Sequence, residues 1–188
     1  MKKLIALLLT LMLCLPALAE QEDPQALLAP FEMTIPEDVT VQANANGTAV
    51  TFIHGNGLTR VVGMTLSRVP DAQGDHAAEL ERLMKLFAPA ALDYTPLALV
   101  EDFHGLLART PAALEGMAGA PIDQITVMIL WQTQTRGELL ILSGYDIGGQ
   151  TARAWTLIDA LLQSASVEGM QVVPPEEAPQ EELPQGDE

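Results

Sequence analysis

The sequence predicts an α+β fold: a mainly antiparallel sheet packed against amphipathic helices in a sandwich-like arrangement. Three observations carry that prediction. Between Ile122 and Tyr145 two apolar runs flank a short polar link, residues 132–137, and a link that short makes the two strands antiparallel. Over residues 152–164 apolar side chains recur at helical spacing. The elements then run strands, helix, irregular stretch, strands, helix, with no internal repeat, an order of segregated elements rather than alternating βαβ units.

The ends of the chain read differently from its middle. Lys2 and Lys3, an apolar run at 4–13 too short to span a bilayer, Pro16, and the small-residue pattern Ala17-Leu18-Ala19 predict a secretory signal peptide over 1–19, cut after Ala19. A lipoprotein leader is the less favoured reading, because Leu13 rather than a small residue precedes Cys14. Residues 20–30 are acidic, carry Pro24 and Pro30, and are expected to lie loosely or form a single turn near Ala26. Residues 31–173 are expected to form one globular α+β domain. The Pro-, Glu- and Gln-rich stretch 174–188 is expected to be a disordered acidic tail.

Cleavage would remove Cys14, the only cysteine, leaving no disulfide, thiol nucleophile or cysteine metal ligand. The chain holds 25 acidic against 9 basic residues, and losing Lys2 and Lys3 raises the imbalance further. So acidic a surface repels phosphate backbones and anionic lipid heads, so nucleic acid is excluded as a partner and stable membrane insertion is not expected.

Within the domain, Phe31 to Ile35 alternates apolar and polar residues and stops at Pro36: a first strand, which 39–43 extends. Asn44-Ala45-Asn46-Gly47 turns the chain into a second strand over 48–54. Gly55-Asn56-Gly57 then gives the best hairpin signal of the sequence, leading into a third strand over 59–68. Asp75 caps a helix over 76–87 with Leu80, Leu83, Met84 and Phe87 on one side. Residues 94–119 read as a short helix from Thr95-Pro96 through Phe103, then a short strand or irregular segment, because Gly105, Pro111, Gly116 and Gly119 interrupt any longer pattern. Ile125, Val127, Ile129 and Trp131 alternate with Met128 and Leu130, so both faces of this strand are apolar, as in a central strand. Its partner runs over 138–145, Gly148-Gly149 turns, and Trp155, Ile158, Leu161, Leu162 and Ala165 form the stripe of the last helix. Both tryptophans read as core. Residues 167–173 are expected to add an edge strand.

Phe31-Glu32-Met33-Thr34-Ile35-Pro36 resembles the short opening strand, apolar and polar by turns and closed by Ile-Pro, of the PsbP and Mog1-like superfamily. The strand-rich half, the helix, the late hairpin and a last helix closing on Leu161-Leu162-Gln163-Ser164-Ala165 are similar in order. The resemblance spans 31–166 and implies a compact sandwich of antiparallel sheet between helices, of a kind that serves exported bacterial proteins as non-enzymatic binding or accessory domains. It carries no catalytic motif and transfers no functional residue.

A search for chemistry assigns no catalytic, cofactor-binding or metal-ligating residue. His54, His76 and His104 are isolated in sequence, none at the three- or four-residue spacing by which a helix presents two ligands, and each reads as a surface or capping residue. Asp71, Asp75, His76 and Glu79 lack the alternation of a calcium loop despite Gly74, and read as capping and solvated charge. Asp146-Ile147-Gly148-Gly149 lacks the further glycines and the lysine of a phosphate-binding loop. Neither Gly-x-Ser-x-Gly nor Ser-x-x-Lys occurs. Asn46-Gly47-Thr48 is a glycosylation sequon, relevant to a eukaryotic host alone. The sequence therefore favours an exported, non-catalytic binding or accessory domain with an unknown protein or cell-envelope partner, secreted or extracytoplasmic, without a cofactor. The alternatives are an enzyme assembled in space, with His54 or His104 as base beside a carboxylate, and weak divalent-cation binding by the Asp71 to Glu79 loop.

Overall fold

The computed structural model describes residues 23–68, 74–133 and 135–175, so the predicted leader with Cys14, Asp71 and the acidic tail beyond Pro175 lie outside the described residues. A 3-10 turn, Pro24–Leu28, is followed by β1 (Phe31–Glu32), β2 (Val39–Ala43), β3 (Val50–His54) and β4 (Thr59–Arg68). Then come helix α1 (His76–Phe87), β5 (Tyr94–Pro96), β6 (Phe103–Glu115), β7 (Pro121–Gln132), β8 (Gly137–Asp146), helix α2 (Thr151–Gln163), β9 (Ser166–Val167) and β10 (Met170–Gln171).

Two antiparallel meanders make one seven-stranded sheet in the order β2-β3-β4-β8-β7-β6-β5. The seam between them is the β4–β8 pairing, which runs from Thr59 opposite Asp146 to Arg68 opposite Gly137. β7 and β8 thus lie inside the sheet with neighbours on both sides, and their residues from Ile125 to Trp131 and from Leu139 to Leu142 are buried whichever face they point to. On one face Val50, Phe52, Val61, Val127, Ile129, Leu140 and Leu142 form a cluster with Leu157, Ile158 and Leu161 of α2. On the other, Leu106, Met128, Leu130 and Ile141 cluster with Leu80 and Met84 of α1. The result is a mostly antiparallel sheet with two helices, an open, sandwich-like α+β arrangement.

Several expectations are corrected. The opening strand pairs for two residues only, and with β9 rather than with the main sheet; β1, β9 and β10 form a separate three-stranded sheet, which also takes the expected edge strand at 167–173. Val39–Ala43 is a strand in its own right, the edge of the main sheet. Of the two readings for residues 20–30, a loose segment or a single turn near Ala26, the described part takes the turn: the Asp23 carboxylate accepts the Gln25 amide, and Leu28, 1% exposed, packs into the core space that Gly63 leaves beside Phe52 and Leu142. The greatest difference is 94–119, where β5 and the thirteen-residue β6 replace the expected short helix. The breakers have strand roles there. Pro96 sits on an edge strand, where its missing N–H leaves no ladder bond unmade. Gly105 clears space for Leu99, whose Cδ1 would lie 2.6 Å from an added Cβ. Pro111 falls at the register shift between Thr110 and Leu114, a β-bulge. Trp131 is core at 2% exposure, whereas Trp155 is half-buried at the rim and Ala154 and Leu157 take the inner positions.

Candidate functional site

The β2–β3 hairpin creates the principal site. Its register sets Val39 opposite His54, so Asp38, one residue before the strand, comes beside the His54 ring. His54 Nε2 lies 2.9 Å from Asp38 Oδ2. The Asn56 amide donates to His54 Nδ1 at 3.2 Å. An acceptor at Nδ1 fixes the proton of the neutral ring on Nε2, where Asp38 takes it, and leaves no ring lone pair uncommitted. Asn56 is fixed in turn by the β3–β4 turn: its Oδ1 accepts the Leu58 and Thr59 amides at 2.8 and 3.0 Å, with Gly57 at φ +68 between them.

Beside this pair lies an open groove of about 490 Å³ between the β2–β3 edge and α2, walled by Pro36, Val39, Leu157 and Ala160 and bordered by Asn56, Thr156 and Arg153. The walls are mostly apolar. Arg153, in the first turn of α2, is exposed and has no carboxylate within ion-pair distance among the described residues. In contrast, Arg82, Arg109 and Arg136 are each paired with an acidic residue. The start of α2 is held by Asp146, 1% exposed, whose Oδ2 accepts the Thr59 hydroxyl at 2.7 Å and whose Oδ1 accepts the Gln150 amide at 3.2 Å. That buried carboxylate is thus consumed in positioning the helix.

A second cluster joins the two remaining histidines. His76 opens α1, His104 is the second residue of β6, and their ring centres are 4.9 Å apart at a 40° tilt. Nδ1 of His76 is buried and has no hydrogen-bond partner among the described residues. Burial, reinforced by His76 and opposed by Asp102, holds the His104 imidazolium below histidine's ordinary pKa, so the ring is neutral at neutral pH. Adjacent is a cavity of about 520 Å³ lined by His76, Asp102, Trp131, Glu168 and Met170, among others. Among the described residues no three His, Cys, Asp or Glu side chains converge as a ready-made metal site.

The remaining candidates resolve into local structure. Asp75 caps α1, accepting the Ala77 and Ala78 amides at 3.0 and 3.1 Å, and Glu79 is bound to Arg82. Gly148 and Gly149 make the strand-to-helix turn, with the Gly149 amide donating to the Asp146 carbonyl at 2.8 Å. Asn46-Gly47-Thr48 lies in an exposed turn. Two residues of the groove, Asp38 and Arg153, had no sequence motif to single them out. Nor could counting have found Asp38: pairing outward from a turn at Asn44 to Gly47 would set Val39 opposite Phe52, whereas the loop closes with Ala43 opposite Val50, and that shift of two brings His54 opposite Val39.

No protein-family model matches this chain, and no curated protein matches it significantly. Among solved structures it is similar to LpqN of Mycobacterium tuberculosis, described as involved in cell envelope biogenesis, with a TM-score of 0.54, 8% identity, and coverage of 77% of this chain and 83% of LpqN. At that identity the likeness concerns the fold alone.

Proposed function

We propose that this chain is an exported accessory domain of the cell envelope that holds a partner in the groove between the β2–β3 edge and α2 and carries out no chemistry on it. One observation carries the reading: the only histidine–carboxylate pair at a groove among the described residues, His54 with Asp38, has both ring nitrogens committed, while Arg153 at the rim is uncommitted. A general base needs a lone pair aimed at the substrate. A binding site needs apolar walls and a few oriented polar groups, which this groove has. In a chain with a formal net charge of −16, an unpaired arginine is the group that selects an anionic partner.

The leader predicted at 1–19 and the distant likeness to an envelope biogenesis protein support the extracytoplasmic placement. The order of elements supports a PsbP and Mog1-like type of fold. No helix among the described residues is long and apolar enough to cross a membrane.

The test is a photo-crosslinking amino acid placed at Thr156, in the groove, and at exposed Glu115 as a control, in cells of the native host. We expect an adduct with an envelope component from Thr156 alone, lost on Arg153→Glu. Turnover of an ester, peptide or glycan by the pure protein, abolished by His54→Gln or Asp38→Asn, would overturn the reading in favour of an enzyme.

A further inference from the structure

The His76–His104 cluster lies apart from the groove and plays no part in its binding chemistry. We propose that these two histidines are the imidazole ligands of a site for a late first-row divalent cation of the zinc class, with Asp102 as the carboxylate that completes it.

Three observations converge. The first is spacing. With a zinc–nitrogen bond of about 2.0–2.1 Å and the ring centre about 1.1 Å beyond the nitrogen, two imidazoles on one tetrahedral cation place their centres about 5 Å apart. The separation here is 4.9 Å, between residues on different elements, α1 and β6. The second is an unmet valence: His76 Nδ1 is buried and has no hydrogen-bond partner among the described residues, a condition a cation relieves by accepting that lone pair. The third is the field. The adjoining cavity is lined by Asp102 and Glu168, and the positive end of α1 is already met by Asp75, whose carboxylate accepts two of its first amides. Asp102 is exposed in the turn before β6, lines the cavity, and makes no ion pair among the described residues, so its carboxylate is not committed to a cationic side chain there. Imidazole ligands select the zinc and copper end of the first row over calcium, which wants oxygen alone. A site of two imidazoles and one carboxylate leaves a fourth position to water.

The test uses the untagged chain, whose three histidines are the whole histidine content of the sequence. Zn²⁺ is titrated while the imidazole ring resonances are followed by NMR, with Ca²⁺ as the competing cation. We expect the His76 and His104 resonances to move together to a one-to-one endpoint, His54 to stay still, and Ca²⁺ to have no effect. Affinity by calorimetry should fall in His76→Ala and in His104→Ala by more than the roughly 10–100-fold that loss of an outer-shell partner costs. Because His76→Ala removes a residue at the α1 N-terminus, His104→Gln serves as a second variant, with its fold checked by circular dichroism. Asp102→Asn should weaken binding without altering the apo melting temperature. Unmoved His76 and His104 resonances, movement of His54 with them, or an affinity unchanged in His76→Ala or in His104→Gln would overturn the proposal.

Discussion

Gly144 and Ile158 meet where α2 crosses β8, and the absence of a side chain at the first determines how close the helix comes. A Cβ at 144 would stand 2.8 Å from Ile158 Cδ1 and 3.3 Å from Val61 Cγ2. Overpacking of this kind costs about 1–3 kcal/mol. Gly144→Ala is therefore expected to lower the unfolding free energy in urea by about that amount. Because the nearest atom is a terminal methyl, adding Ile158→Val should recover part of the loss, so that the double variant is more stable than the sum of the single effects allows. Strict additivity would mean the backbone, not Ile158, absorbs the clash. His104 gives a pH dependence at the same scale. Its folded pKa lies below its unfolded value through burial and His76, with Asp102 opposing. The unfolded chain thus binds the proton more readily, and this group's contribution to stability is whole above about pH 6.5, declines as pH falls through that value, and levels off below the folded pKa. An NMR titration should find His104 protonating at lower pH than a histidine in the urea-unfolded chain; the reverse order would contradict the assigned burial.

Among the elements, β6 is the one that both extends the sheet and interrupts it. Its bulge places Ala112 at φ +51, a left-handed conformation that disfavours any side chain by about 1–2 kcal/mol. Asp123 braces the bulge: its carboxylate accepts the Ala112 amide at 3.1 Å and pairs with Arg109. Ala112→Gly removes the strain but adds unfolded-state entropy, so a net stabilisation of about 0.5–1 kcal/mol is expected from the denaturation midpoint. A loss of stability would mean the methyl makes contacts that outweigh the strain. The same element accounts for what the sequence left unread. β3, β4, β7 and β8 were legible because alternation, or an unbroken apolar run, coincided with turn residues such as Asn56-Gly57. β6 was not, because Gly105 and Pro111 look like breakers until one knows that Leu99 fills the space at one and a bulge absorbs the other. Local pattern cannot report a constraint imposed by a residue across the sheet. β1 failed for the related reason that its partner, β9, lies more than a hundred residues away.

Across the molecule, the parts of both candidate sites come from separate elements: His54 and Arg153 from β3 and α2, His76 and His104 from α1 and β6. Each histidine was visible in the sequence as an isolated residue, and only the folded register gave it a neighbour. Charge, by contrast, was legible from composition alone, and it acts at the largest scale. A formal net charge of −16 spread over one chain is self-repelling. The compensating ion pairs Arg82–Glu79, Lys85–Glu81 and Arg109–Asp123 have side chains mostly open to solvent, a setting in which a pair contributes about 0–1 kcal/mol. Arg136–Glu138 is better shielded, since Glu138 is 5% exposed and also accepts the Ser67 hydroxyl. Salt therefore weakens little that is attractive and screens much that is repulsive. Raising ionic strength from about 0.01 to 0.15 M shortens the screening length from about 30 to 8 Å, enough to uncouple charges on opposite sides of the sheet while contact pairs persist. The melting temperature in sodium chloride at neutral pH, with chelator present to keep cations off His76 and His104, is expected to rise over that range and then flatten. A melting temperature that falls as salt is added would mean that the few ion pairs, and not the net repulsion, dominate the electrostatics of this fold.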